Sequence, residues 1–317
     1  MRIEPAGRSL MIGIVIYALA GLAGSARASD TAQAAGGNTN EAVENEYHKL
    51  LLDDNAAEND VLEWLDKAAG SNDRLTMDLK AQQRLEGIKK EYQDFVERHP
   101  RHVNARLAFG SFLKDSKDDE GSRTQFEVAR ELAPTNPSPW NALGNYYRNS
   151  GQAAKAFEFY GKAIELDPKQ GVYYHNLAAT LYLFRHEGCK YFHLDEQEAF
   201  EKVLALYRQA LKLEPEDFIL WSDYAMSFYG VQPPRWKEGL EAWKETLKVA
   251  PGEEEREGVD IHLARIYVNL GQYDQARASL DLVTNANFAG LKKDVAEDLK
   301  AAVDKGKTNA LPGIQGH

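Results

Sequence analysis

Three side chains that could bind a metal ion lie within one short segment of the chain. His186, Cys189 and His193 follow the spacing H-x2-C-x3-H. A thiolate and two imidazoles are ligands that zinc accepts, but a closed site needs a fourth ligand, and only Glu187 or Asp195 is close in sequence. The segment is also rich in aromatic residues, which favour the alternative of a loop packed on the edge of the fold.

One of the two acidic residues beside this segment has a structural role available to it. Asp195 and Glu198 stand three residues apart, the spacing of a capping box at the start of a helix. Use of Asp195 as a cap would remove it from the zinc ligands. We therefore expect no bound metal and no other cofactor, and we prefer the packed insertion as the interpretation of the segment.

Motifs that carry catalytic chemistry are missing from the sequence. It contains no G-x-S-x-G, no Gly-rich phosphate loop, no H-E-x-x-H and no EF-hand spacing. Asp and Glu are numerous, but on helices they usually form the solvated face. The formal net charge of -11 would repel phosphate backbones and anionic lipid headgroups. We predict a non-catalytic protein that does not bind nucleic acid.

A period of 34 residues organises the middle of the chain. Pro100, Pro134 and Pro168 are each separated by 34 residues. The same offset relates Gly110 to Gly144, Leu113 to Tyr147, Phe126 to Tyr160, Ala129 to Ala163 and Leu132 to Leu166. A fixed period of this size is typical of an architecture of stacked repeats.

Segment 140–168 indicates how one repeat packs. Its small and apolar residues fall on two helical stripes, formed by Trp140, Leu143, Gly144 and Tyr147 and by Ala156, Tyr160 and Ala163. Glycine and alanine let the two helices approach closely, while Trp140 and Tyr160 fill the space between them. Ser138 is the expected N-cap of the first helix, and Gly151 fits the left-handed residue that ends it.

The same landmarks continue along the chain with longer loops. We predict repeats at 103–136, 137–170, 171–217, 218–253 and 257–288, after a degenerate unit at 73–102. The third full repeat contains the insertion FRHEGCKYFHLDEQEAF between its helices. A helical segment at 41–72 comes before the repeats, and a polar helix at 289–305 caps the last apolar face, as the end of a solenoid requires.

These residues resemble the tetratricopeptide repeat (TPR) family. The motif W-x2-L-G-x2-Y, followed by A, A and P, is met by Trp140, Leu143, Gly144, Tyr147, Ala156, Ala163 and Pro168. The resemblance covers 73–288, although Arg106 and Asp260 stand at the Trp position of their repeats. It implies an all-α, right-handed superhelix of helix-turn-helix units that binds proteins or peptides along its concave face.

The resemblance also implies which side chains face a bound peptide. With Trp140 counted as position 4, the family's concave positions 2, 5, 9, 12 and 13 give Asn104, Ser111, Lys114, Asn141, Asn145, Arg148, Asn149, His175, Tyr182, Ser222, Tyr229, Arg265 and Asn269. Lys114 and Arg148 occupy the same position in adjacent repeats, so stacking should place two cations side by side. We expect them, with the Asn amides, to hold a carboxylate and peptide amides. The alternative is that these are ordinary solvated positions.

The amino terminus has the pattern of a secretory signal peptide at 1–28. Arg2 and Arg8 precede an apolar run, and Ala26 and Ala28 fit the A-x-A cleavage rule. We expect a mature start at Ser29, a flexible leader at 29–40 and a periplasmic or extracellular protein. An uncleaved membrane anchor is the alternative. Residues 306–317 are expected to form a mobile tail.

The sequence therefore predicts an exported TPR adaptor that binds a protein or peptide partner and assists the assembly of complexes in the cell envelope. The alternative function is a receptor for a small ligand or metal that uses the insertion at 184–200. The identity of the partner is not encoded in any of these patterns.

Overall fold

The computed structural model describes residues 39–68 and 74–310, with the backbone alone for residues 39 and 306–310. Within these ranges the protein is all-helical, with fourteen α-helices, one 3-10 turn and no strand. No helix of the described ranges is long and apolar enough to cross a membrane. The chain divides between residues 52 and 53 into two units, and the repeat region belongs to the second.

The helices follow one another with short connections. In chain order they are α1 Thr39–Ala68, α2 Arg74–Arg98, α3 Val103–Asp115, α4 Asp119–Leu132, α5 Pro137–Asn149, α6 Ala153–Leu166, α7 Gly171–Leu183, α8 Arg185–Phe192, α9 Glu196–Leu213, α10 Phe218–Ser227, α11 Trp236–Lys248, α12 Glu253–Asn269, α13 Tyr273–Leu282 and α14 Ala289–Ala310, with the 3-10 turn Ala286–Phe288 before α14.

Five helix pairs form an α-solenoid. The first, or A, helices are α3, α5, α7, α10 and α12, and each packs on its own second, or B, helix, which are α4, α6, α9, α11 and α13. Each B helix from α4 to α11 also packs on the A helix that follows it. Neighbouring A helices contact one another, α3 with α5, α5 with α7 and α7 with α10. The predicted fold class is confirmed.

The turn from an A helix to its B helix has the same geometry in three repeats. Lys117, Gly151 and Gly271 have φ values of 65°, 73° and 72°. The N–H of Gln152 donates to the carbonyl of Tyr147 across 2.8 Å, and Asp118 and Gln272 make the same type of bond. This is a Schellman motif, in which a left-handed residue lets the orphan carbonyls of a helix end find donors. The left-handed conformation predicted for Gly151 is present.

The start of each of the first four A helices is tied to the proline behind it. Trp140 Nε1 donates to the carbonyl oxygen of Pro134 across 2.9 Å. Six residues also separate the donor and acceptor in the other three pairs, which are Arg106 Nη2 to Pro100, Tyr174 Oη to Pro168 and Trp221 Nε1 to Pro215, at 3.2, 3.2 and 2.8 Å. The Trp140 side chain is only partly buried at this position. Our prediction that it fills the space between the two helices was wrong.

Tyr160 fills the space between α5 and α6. Its side chain is fully buried, and a Cβ added to Gly144 would lie 2.5 Å from its Cε1 atom. Likewise, a Cβ added to Gly110 would lie 2.4 Å from the Cε1 atom of Phe126. A side chain at either glycine would overlap an aromatic ring, so the close approach of the two helices depends on glycine at these positions.

The N-cap of α5 differs from our expectation. The helix begins at Pro137, and the side chain of Asn136 accepts a hydrogen bond of 3.0 Å from the N–H of Ser138. Ser138 therefore lies inside the first turn and is not the cap. The predicted capping box of α9 is present, because Asp195 accepts from the N–H of Glu198 and Glu198 accepts from the N–H of Asp195.

The insertion in the third repeat forms a helix instead of the loop we expected. α8 packs on α6, α7 and α9. The rings of Tyr191 and Phe192 lie 5.4 and 5.2 Å from the buried ring of Phe157, and Gly188 is buried against Leu181. Aromatic contacts thus hold the insertion against the preceding B helix.

The two ends of the repeat array also differ from the predicted bounds. Residues 74–98 form one continuous helix, so the predicted unit at 73–102 contains no complete helix pair. Instead, α2 bonds to α1 through Tyr92 Oη, which donates to Asp54 across 2.6 Å. At the other end α14 packs on α12 and α13 as a cap and extends to Ala310, so the predicted tail at 306–317 begins as helix. The signal peptide at 1–28 and residues 29–38 of the predicted leader at 29–40 lie outside the described residues, whereas residues 39 and 40 begin α1.

Candidate binding face on the A helices

Adjacent A helices are joined by paired polar side chains. Asn141 Oδ1 on α5 accepts a hydrogen bond of 2.9 Å from Asn176 Nδ2 on α7. One repeat later, His175 Nε2 on α7 lies 2.7 Å from Asp223 Oδ2 on α10. Both pairs connect position 5 of one A helix to position 6 of the next. Two of the predicted ligand contacts, Asn141 and His175, therefore also join neighbouring repeats.

A second Asn of α5 is bound within its own repeat. Asn145 Oδ1 accepts a hydrogen bond of 2.7 Å from the hydroxyl of the buried Tyr160. Burial raises the pKa of Tyr160 to about 12, so the hydroxyl keeps its proton and acts as the donor. The Nδ2 groups of Asn141 and Asn145 have no acceptor within residues 39–68 and 74–310. Both amides can therefore donate to a ligand.

The two predicted cations differ in their surroundings. Lys114 Nζ lies 3.8 Å from a carboxylate oxygen of Asp115. Arg148 makes no ion pair with any carboxylate of the described ranges, and its hydrogen bond from Nε to Asn149 Oδ1 is long, at 3.4 Å. Burial raises the pKa of the Tyr160 and Tyr207 hydroxyls, and the charge of Arg148 opposes both rises.

Aromatic residues occupy the same face further along the array. Tyr229 Oη lies 3.1 Å from Nδ1 of His262, and the His262 ring stacks on Trp243 with centroids 4.1 Å apart. Burial, and then the charge of Arg265, lower the pKa of His262 to about 3, so the imidazole is neutral. The neutral ring joins the last two repeats by stacking and not by charge.

The remaining predicted residues are placed on the same helices. Ser222 Oγ donates to the carbonyl of Phe218 across 2.8 Å, and Asn269 Nδ2 donates to the carbonyl of Arg265 across 2.8 Å. Tyr182 packs its ring against Phe200, with centroids 6.4 Å apart. Asn104 and Ser111 lie on α3, and Asn149 is the exposed last residue of α5.

Sequence reasoning missed four side chains of this face, which are Asn176, Asp223, Tyr207 and His262. Three of them stand at position 6 of an A helix, one residue after a predicted contact position. Polar residues at that position in three successive repeats were the available signal. Tyr207 belongs to a B helix, and no rule on A-helix positions could have selected it.

The candidate metal ligands are not arranged as a site. Within the described ranges, no group of three or more His, Cys, Asp and Glu side chains could hold a metal ion. His186 is exposed on α8, and His193 ends that helix in a left-handed conformation, with φ 55°. Burial raises the pKa of the Cys189 thiol, which disfavours the thiolate that zinc requires.

Comparison with known proteins identifies the class of repeat. Residues 137–170 and 261–289 match the tetratricopeptide repeat family. The chain is thus an α-solenoid that contains TPR repeats. No curated protein sequence matches it significantly.

Several solved structures are similar to the chain in fold. A chain of the APC/C hetero-tetramer Cut9–Hcn1 has a TM-score of 0.52 and 12% identity, over 81% of this chain and 46% of that chain. PilF of Pseudomonas aeruginosa has a TM-score of 0.48 and 20% identity, over 67% and 92%. YrrB, described as a TPR protein with an unusual peptide-binding site, has a TM-score of 0.47 and 16% identity, over 68% and 97%.

Proposed function

We propose that the protein is an exported, non-catalytic TPR scaffold that binds a segment of another protein along its A helices and assists complex assembly in the cell envelope. The observation that carries the proposal is the set of free donors on α5. Asn141, Asn145 and Arg148 each present N–H groups that have no strong acceptor within the described ranges. Carbonyl and carboxylate oxygens of a polypeptide would meet these donors.

The rigidity of this face supports a role in recognition. Asn141 is held by Asn176, and Asn145 is held by Tyr160, so both amides are fixed before a partner arrives. A preordered surface loses less side-chain entropy on binding than a flexible one. The face therefore combines free donors with fixed positions.

Export belongs to the proposal and rests on the sequence of residues 1–28. Mass spectrometry of the protein purified from its native host tests it. A mature chain that begins at Ser29 supports cleavage and export, whereas a chain that retains residues 1–28 supports the membrane-anchored alternative.

The double variant Lys114→Ala, Arg148→Ala tests the binding face. We expect it to fold with the same helix content as the wild type and to lose partners that the wild type captures from envelope extracts. The matched control is Lys162→Ala, Arg277→Ala, which removes two cations from the B helices α6 and α13.

The control variant should capture the same proteins as the wild type. Retention of every partner by the first variant would reject the assignment of Lys114 and Arg148. Equal losses in both variants would instead attribute the effect to net charge, and the proposed face would be wrong.

A further inference from the structure

The B helices carry an aromatic residue at one position that faces the A helices. Counted eight residues before the closing proline, this position holds Phe126, Tyr160, Tyr207 and Trp243 in the first four repeats. All four side chains are buried, with 3% or less of their surface exposed. Three of them carry a polar group, which needs a hydrogen-bond partner when it is buried.

Only one of these three polar groups has a partner from its own A helix. Tyr160 donates to Asn145 in the second repeat across 2.7 Å. The residues that correspond to Asn145 in the next two repeats are Ala179 and Met226, and neither has an amide to accept a hydrogen bond. Tyr207 in the third repeat and Trp243 in the fourth therefore have no asparagine acceptor at the corresponding position of their own A helix.

Neither of the two later groups finds an acceptor within the described ranges. The indole Nε1 of Trp243 is buried without a hydrogen-bond partner. The hydroxyl of Tyr207 also makes no hydrogen bond, although the side chain is 2% exposed. Position 179 carries alanine where the second repeat carries Asn145, so no amide at this position can accept from the Tyr207 hydroxyl.

Polar side chains of three different helices act on the Tyr207 hydroxyl or lie beside its ring. Burial, and then the charge of Asp223 on α10, raise the pKa of Tyr207, and the charge of Arg148 on α5 opposes this rise. The ring of His175 on α7 lies 5.9 Å from the Tyr207 ring and holds Asp223 at 2.7 Å. These residues and Ala179 define a notch on the A-helix face, which we call the Tyr207 notch.

The charges of the notch indicate the kind of group that fits it. Arg148 would repel an ammonium group, and Asp223 would repel a carboxylate. A peptide amide is neutral and has both an acceptor and a donor. Its carbonyl oxygen can accept from the Tyr207 hydroxyl and from Arg148, and its N–H can donate to the oxygen of Asp223 that His175 does not use.

We propose that the Tyr207 notch binds one backbone amide of the partner segment, with Tyr207 and Arg148 as donors, Asp223 as acceptor and Ala179 as the residue that leaves room. This inference rests on the proposed function, since it names the group recognised on the same face. It makes alanine at position 179 the determinant of binding in the third repeat.

The first experiment measures the notch without a partner protein. The full-length chain with isotope-labelled tyrosine rings is titrated with acetylglycine N-methylamide, an uncharged peptide mimic, and separately with acetylglycine, its carboxylate counterpart, and followed by NMR. We expect saturable shifts of the Tyr207 ring signals with the first compound and none with the second. Tyr146, which bonds to Glu120, should not respond.

The second experiment uses peptides selected from a random display library on the wild-type protein. Ala179→Asn restores the amide found at Asn145 and should weaken a selected peptide about tenfold, and Tyr207→Phe should weaken it about five- to tenfold. Ala179→Asn should also keep or raise the melting temperature, because Tyr207 gains an acceptor. The matched controls Ala278→Asn, at an exposed position of α13, and Tyr146→Phe should bind normally.

The outcomes separate this inference from the proposed function. Peptides that bind equally to wild type, Ala179→Asn and Tyr207→Phe would overturn the notch and leave peptide binding intact. A Tyr207 response to the small mimic with no peptide selected would support the notch and count against the scaffold function. If Tyr207 responds to neither compound and no peptide is selected, both are overturned.

Discussion

Trp140 and Pro134 are joined by a hydrogen bond of 2.9 Å from the indole Nε1 to the proline carbonyl oxygen, which ties the start of α5 to the end of α4. The bond recurs in three other repeats, where the donor is an arginine, a tyrosine and a second tryptophan. Trp140→Phe removes the donor and keeps much of the aromatic surface, so we expect the free energy of unfolding to fall by about 1 kcal/mol. Equilibrium urea unfolding followed by circular dichroism measures the change.

A tryptophan without this bond provides the control. Trp236 makes no hydrogen bond through its indole N–H within the described ranges and packs near Tyr229, with ring centroids 6.0 Å apart. Trp236→Phe should therefore cost less than Trp140→Phe. Equal losses would mean that the Pro134 bond contributes nothing beyond ring packing.

The contact between Gly144 and Tyr160 predicts an unusual cost for a small substitution. Alanine normally favours a helix interior over glycine by roughly 0.5 to 1 kcal/mol. At Gly144 the added methyl group would lie 2.5 Å from the Tyr160 ring, so we expect Gly144→Ala to lower stability by about 1 to 3 kcal/mol, as overpacking does. Thermal unfolding of the two proteins measures the difference.

Gly161 offers a matched control in the next helix. It lies within α6, is exposed, and an added Cβ would meet no atom within 4 Å. Gly161→Ala should raise the melting temperature. A higher melting temperature for Gly144→Ala as well would contradict the packing described for Tyr160.

Asp260 predicts a pH-dependent stability for the last repeat. Burial, and then the charge of Glu257, raise its pKa from 3.8 to about 6. The folded protein therefore favours the protonated carboxyl, and the stability that this provides is full below pH 3.8 and is lost as the pH rises through 6. We expect Asp260→Asn to be more stable than the wild type by about 1 to 3 kcal/mol at neutral pH, with no difference near pH 4.

Glu257 is the control for Asp260, because its pKa shifts in the opposite direction. Hydrogen bonds from the backbone of Asn285 and from Thr284 lower the pKa of Glu257. Its contribution is present above its ordinary pKa and is lost as the pH falls, so Glu257→Gln should be less stable than the wild type at neutral pH. Unfolding measured from pH 4 to 8 tests both variants, and parallel pH profiles for wild type and Asp260→Asn would contradict the account.

The cap of α5 predicts a difference between two substitutions at one residue. Asn136 accepts from the N–H of Ser138 at the start of the helix. Asn136→Ala removes this acceptor and should cost about 1 kcal/mol, whereas Asn136→Ser retains a capping group and should cost only a fraction of that. Denaturant unfolding of the pair provides the measurement, and identical midpoints would assign the cap elsewhere.

Local rules of sequence predicted the repeat and most of its helix ends. The prolines at 134, 168 and 215 each follow a B helix, Gly151 is left-handed, and Asp195 and Glu198 form their capping box. These features depend on residues within one turn of each other. We predicted Ser138 as the N-cap of α5 instead of Asn136. Both residue types can cap a helix, and each is followed by a proline, Pro137 or Pro139, that fits the first turn.

Features that depend on distant residues could not be predicted in the same way. The bond between His175 and Asp223 joins residues 48 positions apart, and that between Asn141 and Asn176 joins residues 35 apart. Arg106 was treated as a departure from the motif, yet it bonds to Pro100 as Trp140 does to Pro134. A spacing pattern describes positions along one chain and not which polar groups meet across helices.

The two side-chain pairs between A helices, Asn141 with Asn176 and His175 with Asp223, are chemically different. This difference fixes the order of the repeats. If segments 137–170 and 171–217 exchanged places, His175 would face Ala142 and lose its partner, while Asn141 would face Asp223. A permuted chain would keep every landmark of its period and still have mismatched neighbours. The paired side chains between neighbouring A helices thus determine which repeat can follow which.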